Sequence, residues 1–302
     1  MRRLPAPIRH PLRTVALTGA AAAAALAVFA PTASAHLLTP QSGSPNTNRI
    51  SNLYTVTLVI AIIIFVIVEG SLLYTLIRFR KRKGRVAAQI HGNTRLEIGW
   101  TIGATVILIA LATITFAELN SIRNPPNSPA GGLDLSSSQF VTTGEATPPD
   151  HHALSIQVNG QQYIWRYTYL QYGTQADGVD DPYTYYQMVV PVHTVVRLRV
   201  VSDDVTHSFW IPDLVPKVQA VPGYTNYTWF IAPHVGNYLG QCAFICGEGH
   251  ARMKAEITAV TASQFKAWIK HQRYEIQQAN SQQAKARSAT QNEPLPGGVE
   301  VK

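Results

Sequence analysis

Gly240-Gln241-Cys242-Ala243-Phe244-Ile245-Cys246-Gly247-Glu248-Gly249-His250-Ala251-Arg252-Met253 carries two thiols, an imidazole and a thioether between positions 242 and 253. Soft thiolate and thioether donors combined with imidazole select copper. The glycines at 240, 247 and 249 favour a loop whose backbone can approach a metal. Upstream, Asp204-Val-Thr-His207-Ser-Phe-Trp-Ile-Pro212 offers a second imidazole just past an expected strand end. A mononuclear copper site needs one Cys, two His and a weak Met. Here two Cys stand with three residues between them, so each thiolate can bridge two coppers. His207 and His250 would then cap the two metals, with Met253 and one backbone carbonyl as weak ligands. Zinc is the competing metal by ligand type, but it gains little from Met, and Cys-x3-Cys-x3-His-x2-Met is not a usual zinc-finger spacing. A Cys242–Cys246 disulfide is the bland alternative for an exported chain.

Around this run lie short segments rich in Val, Ile, Tyr and Trp: 153–158, 162–169, 185–190, 194–202, 225–231 and 254–260. Turn signals at Asn159-Gly160, Asp177-Gly178, Pro222-Gly223 and His234-Val235-Gly236 separate them. Strands at this spacing predict a Greek-key β-sandwich or barrel. Phe265, Trp268 and Ile269 share one face of an expected helix over 263–271. The Gln- and Asn-rich end reads as a partly helical or flexible tail. His151, His152, His193 and His234 fall at linker or turn positions with no matching ligand nearby in sequence, and His91 falls in a basic loop.

Farther upstream the composition changes. Residues 1–35 read as a secretory signal peptide: a basic start, an apolar stretch and Ala33-Ser34-Ala35 as a cleavage pattern. Residues 36–120 form a transmembrane hairpin with spans at about 53–77 and 96–119. The 78–95 loop holds seven Lys and Arg and no acid, which marks it as cytoplasmic and sends the rest of the chain outside. Residues 121–150 are rich in Pro, Gly, Ser and Thr and read as a linker to a domain over 151–262, followed by 263–302 as helix and tail. Glu69 lies inside the first span, where a carboxyl either faces a protein partner or packs protonated against a helix. Glu97 opens the second span, where an acid suits the helix dipole.

The net charge of +8 comes from the leader and the loop. From Asp134 to Glu256 the chain holds eleven Asp plus Glu and six Lys plus Arg, a balance of −5. That distribution excludes a nucleic-acid surface and suits a basic protein partner, with Asp177, Asp180, Asp181, Asp203 and Asp204 as candidate steering charges.

These features together resemble the cytochrome c oxidase subunit II family over almost the whole chain downstream of the leader. The pieces that carry the resemblance are Arg95-Leu-Glu97-Ile-Gly-Trp100-Thr101, Gly160-Gln-Gln-Tyr163-Ile-Trp165-Arg-Tyr167, Asp204-Val-Thr-His207-Ser, Lys217-Val-Gln219-Ala-Val-Pro222-Gly223 and the Cys/His/Met loop. The fold it implies is an α+β membrane protein, a two-helix transmembrane hairpin followed by an exported cupredoxin-like Greek-key β-sandwich or barrel. It implies binuclear copper A on His207, Cys242, Cys246, His250, Met253 and the Phe244 backbone carbonyl. Tyr163 matches the aromatic through which electrons arrive, and Glu97 matches a Glu at the mouth of a proton channel into subunit I.

The implied partners are oxidase subunits I and III, cytochrome c or a similar basic carrier, and membrane lipid, with haem in subunit I rather than here. The implied place is a bacterial plasma membrane, with the domain on the periplasmic side. Phe244 stands where many members have Glu, and Gln219 where many have Asp, both near a magnesium ion; these changes speak against magnesium on this subunit. Tyr163 stands where many have Trp. Quinol oxidase subunits lack the copper ligands present here, and nitrous oxide reductase needs a larger chain. A membrane-tethered copper carrier and a disulfide-bonded structural domain are the alternatives from other classes.

Overall fold

The computed structural model describes residues 43–80, 84, 92–135, 146–172 and 180–291. The expected leader, most of the basic loop with His91, Asp177 and residues 292–302 lie outside them. Two long helices come first, α1 (Pro45–Arg78) and α2 (Thr94–Arg123). Both are long and apolar enough to cross a membrane, and neither buries that apolar stretch within the chain. They outrun the expected spans 53–77 and 96–119, because hydropathy marks the membrane-crossing part while backbone hydrogen bonding continues beyond it. Ser44 caps α1 with Pro45 at its first turn. Asn93 caps α2, its side chain accepting from Leu96 N–H at 3.2 Å. The second helix stops just before Pro125-Pro126, as the restriction on residues preceding proline requires.

The exported part contains β1 (Leu154–Gln161), β2 (Ile164–Tyr169), β3 (Tyr183–Tyr185), β4 (Gln187–Pro191), β5 (Val195–Ser202), β6 (His207–Ile211), β7 (Val215–Ala220), β8 (Asn226–Ile231), β9 (Gly236–Gln241) and β10 (Lys254–Val260). One sheet runs β3-β2-β1-β5-β8, a second β4-β10-β9, and β6 pairs with β7. β1 and β5 are parallel, as are β4 and β10, and the other pairs are antiparallel.

The core follows strand alternation. On β2, Trp165, Tyr167 and Tyr169 point inward. Trp165 and Tyr167 meet Phe209 of β6 edge-on, with ring centroids 5.1 and 6.1 Å apart. The Tyr169 hydroxyl donates to Val189 C=O at 2.9 Å and accepts from Val189 N–H at 2.8 Å, fastening one sheet to the other. α3 (Ala262–Gln291) lays Phe265, Trp268 and Ile269 on this core, with Phe265 6.2 Å from the Tyr169 ring.

Several expectations change. Three strands, β6, β7 and β9, fall in segments not read as strands, and the expected 185–190 strand splits into β3 and β4. The 121–150 linker begins as the last turn of α2. Farther along it, Leu133, Leu135 and Ala146 are buried, so the described parts of this stretch contribute to the packed domain. The terminal helix runs through the expected 263–271 segment and on to Gln291, within the stretch read as a partly helical tail, because Gln, Ala and Lys sustain helix without an apolar face.

The hairpin is tied to the domain at its outer end. Asn46 Nδ2 donates to Trp229 C=O at 2.5 Å, Ile231 N–H to Ser44 Oγ at 3.0 Å, and Trp229 Nε1 to Ile122 C=O at 2.9 Å. Arg49 pairs with Glu118 at 2.5 Å where the two helices leave the apolar zone. Ser44 N–H also donates to Asp213 C=O, just beyond β6. His207 opens that strand and Ile211 closes it, about 13 Å apart, so the expected ligand lies at the end of β6 away from the hairpin contact.

Candidate metal centre

The 242–253 run is the connection between β9 and β10. Their register sets Gln241 opposite Lys254, so Cys242 and Met253 face each other at the loop's mouth, and Cys242 N–H donates to Met253 C=O at 2.9 Å. Ala243 N–H donates to Ser208 C=O at 2.9 Å, laying the loop along β6 beside His207. Gly240 permits this approach, because a Cβ there would overlap the Trp210 carbonyl. A Cβ at Gly249 would overlap the Tyr163 ring. Tyr163 is therefore seated directly on the Cys/His loop.

The structure brings the expected donors together. Cys242 Sγ and Cys246 Sγ lie 3.9 Å apart with no disulfide between them. His207 Nδ1 is 3.9 Å from Cys242 Sγ, and His250 Nδ1 is 3.6 Å from Cys246 Sγ. Met253 Sδ is 4.0 Å from Cys246 Sγ, and the Phe244 carbonyl oxygen is 3.3 Å from Cys242 Sγ. His207, Cys242, Cys246 and Met253 are buried, while Phe244 turns its ring outward as its carbonyl turns in. His207, Cys242 and Cys246 satisfy the spacing of a metal-holding group, and among the described residues no other cluster does. The donors are soft, convergent and largely dry, which fits copper and leaves no role for a carboxylate ligand.

The electrostatics divide the two thiols. Burial works against charge on Cys242, but hydrogen bonds with His207, the Ser208 and Phe244 backbone, and His250 win and hold its pKa at about 6. Burial, then the neighbouring Cys242 charge, push Cys246 up to about 11. Asp204 lies 2.8 Å from His207 Nε2. Burial opposes its charge, yet hydrogen bonds from His207, Gln162 and Val205 hold the carboxyl below its ordinary range.

Other expected residues fall elsewhere. Glu97 sits in the first turn of α2 and Glu69 on an exposed face of α1, both in the hairpin rather than at the donors. Gln219 lies on β7 with its side chain exposed, and neither it nor Phe244 offers a carboxylate. The acidic steering surface needs correction. Asp180 and Asp181 are buried, at 8% and 6% exposure. Asp203 accepts from Asn159 Nδ2 at 2.5 Å and Gln161 Nε2 at 2.7 Å, so its charge is partly engaged by the fold. Sequence reading placed Asp204 on that surface and missed its contact with His207; the signal was its position three residues before an expected ligand.

Residues 154–260 match the family described as cytochrome c oxidase subunit II, periplasmic domain, and residues 32–117 match its transmembrane domain. The chain is 31% identical over 229 residues to cytochrome c oxidase subunit 2 of Triticum aestivum, covering 70% of this chain and 79% of that one. This chain belongs to the cytochrome c oxidase subunit II family. It is 28% identical over 224 residues to the subunit 2 of Alkalihalophilus pseudofirmus, covering 74% of this chain and 58% of that longer relative. A solved periplasmic domain of subunit II of cytochrome oxidase (CoxB) from Bradyrhizobium japonicum is 31% identical, covering 41% of this chain and 95% of that one at a TM-score of 0.37. As a subunit II, the chain is a membrane protein with two spans followed by the family's periplasmic domain.

Proposed function

We propose that this chain is the electron-accepting subunit of a terminal respiratory oxidase, taking electrons from cytochrome c or a similar basic carrier and handing them to haem in subunit I, where oxygen is reduced and protons are pumped. The observation that carries this reading is the pair of sulfurs 3.9 Å apart, each with its own imidazole nitrogen within 3.9 Å. A single-metal site has no use for that symmetry. Binuclear copper held there would supply a one-electron store with little reorganisation between its redox states.

His207, Cys242, Cys246, His250 and Met253 are the side-chain ligands in this reading, and the Phe244 carbonyl completes the set. Burial of four of these side chains keeps water from the centre. Tyr163, half-buried and seated on the Cys/His loop, is the aromatic through which electrons enter in this reading. Glu97, in the first turn of α2, is the group that collects protons for subunit I. The partners are subunit I, subunit III and lipid around α1 and α2. Phe244 and Gln219 supply no carboxylate to the magnesium ion that many family members hold near these positions.

The test uses the full-length chain, purified in detergent, loaded with copper and examined by metal analysis and electron paramagnetic resonance. Two coppers per chain with a mixed-valence, seven-line signal are expected. One copper with a four-line signal, or none with an oxidised Cys242–Cys246 pair, overturns the proposal in favour of a copper carrier or a structural domain.

A further inference from the structure

We propose that Asp204 is a positioning residue of the metal centre, fixing which nitrogen His207 presents to the metal and tying that ring to the turn that carries Tyr163. The inference rests on the copper reading above and goes beyond its ligand set.

The His207 ring is wholly buried, so its Nε2 has no water to bond. Asp204 Oδ1 lies 2.8 Å from that nitrogen. Both Asp204 oxygens already accept from backbone N–H groups, so the carboxylate accepts from the ring as well and Nε2 carries the ring proton. In the neutral ring that a metal requires, Nδ1, which faces Cys242 Sγ at 3.9 Å, is then the lone-pair nitrogen. The carboxylate is itself held by the backbone. Val205 N–H donates to Oδ1 at 2.6 Å and Gln162 N–H to Oδ2 at 2.6 Å. Both oxygens are committed, so the group cannot swing away from the ring without breaking backbone hydrogen bonds.

Gln162 also reaches the other half of the centre. Its side-chain Nε2 donates to Cys246 C=O at 2.7 Å. The next residue is Tyr163, whose ring lies on Gly249. The 162–163 turn is thus bonded on one side, through Asp204, to His207 and on the other to Cys246. Asp203 is a built-in control, since its carboxylate accepts from Asn159 and Gln161 instead.

A carboxylate against the distal nitrogen of a metal-binding histidine orients the ring and raises its basicity, and losing such a partner costs about 10–100-fold in metal affinity. The test compares copper-loaded full-length chains carrying Asp204→Asn, Asp204→Leu and Asp203→Asn. Asp204→Asn keeps an oxygen acceptor and removes the charge. It is expected to hold two coppers and to show a more positive midpoint potential. Asp204→Leu is expected to lose copper to a chelator about 10–100-fold more readily and to show altered histidine hyperfine couplings. Asp203→Asn is expected to change none of these.

A wild-type midpoint in Asp204→Asn overturns the proposal, as do wild-type hyperfine couplings and copper retention in Asp204→Leu. If Asp204→Leu fails to fold, the Asp204→Asn midpoint decides alone. A wild-type chain that takes up no copper defeats the copper reading itself. A copper-loaded wild type matched by every variant defeats only the role of Asp204.

Discussion

Met253 is fully buried, with its sulfur 4.0 Å from Cys246 Sγ. Met253→Leu nearly conserves volume, so the stability cost is under about 1.5 kcal/mol, measured by thermal unfolding. The same variant removes the thioether, and a changed copper spectrum is expected; a wild-type spectrum would show that Met253 is not a ligand. The two thiols make a separate prediction about pH. Between the Cys242 pKa of about 6 and the Cys246 pKa of about 11, the metal-free centre holds one thiolate and one thiol. Copper needs both sulfurs deprotonated, so loading releases one thiol proton in that window and apparent affinity falls about tenfold per pH unit as pH drops. Below about pH 6 both thiols hold protons. The slope then gains the second thiol proton; His207, whose pKa burial lowers but Cys242 and Asp204 raise on balance above the ordinary 6.5, has already added its own proton at higher pH. Copper titration with a chelator across pH 5 to 9 measures this, and a flat affinity would contradict it.

At the scale of elements, α3 has two unlike halves. Phe265 is fully buried against Tyr169, Tyr172 and Trp268. Phe265→Ala is expected to cost about 3–5 kcal/mol through lost burial and a cavity, read from denaturant unfolding. Beyond Ile276 the helix side chains described are exposed. Truncation after residue 277 is therefore expected to leave unfolding of the domain within about 0.5 kcal/mol of the full chain. Two of the three strands missed by sequence reading, β7 and β9, share a cause. β9 is Gly-Asn-Tyr-Leu-Gly-Gln and β7 contains Pro216, and glycine and proline weaken the local strand signal. They hold because neighbours supply what the local sequence lacks: β10 pairs with β9, and β6 pairs with β7.

At the scale of the molecule, a balance of −5 from Asp134 to Glu256 does not describe a uniform acidic face. Asp180 and Asp181 are inside, and the loop between the cysteines exposes Phe244 and Ile245 at 43% and 83%. Glu248 and Asp203 are exposed, Glu248 between the two glycines that adjoin Tyr163. If a basic carrier docks there, Glu248→Gln combined with Asp203→Asn should slow its electron delivery severalfold at low ionic strength and flatten the salt dependence. Stopped-flow oxidation of the carrier at graded salt measures both. An unchanged salt dependence would place docking on the apolar residues instead.

What the amino-acid sequence determined by itself was whatever depends on neighbours along the chain. The Cys-x3-Cys-x3-His-x2-Met spacing put four donors in one loop. Continuous apolar runs declared two spans, and a basic loop without acids declared their orientation. Alternating Val, Ile, Tyr and Trp declared most of the sandwich. What only the tertiary structure decided was whatever depends on chain segments meeting across the fold. His207 joins Cys242 because β6 runs beside the loop, not because of any spacing between them. Asp180, Asp181 and Asp204 look alike as letters, yet two are interior and one holds an imidazole ring. Burial and hydrogen-bond partners are properties of packing, and packing brings together residues that no local pattern connects.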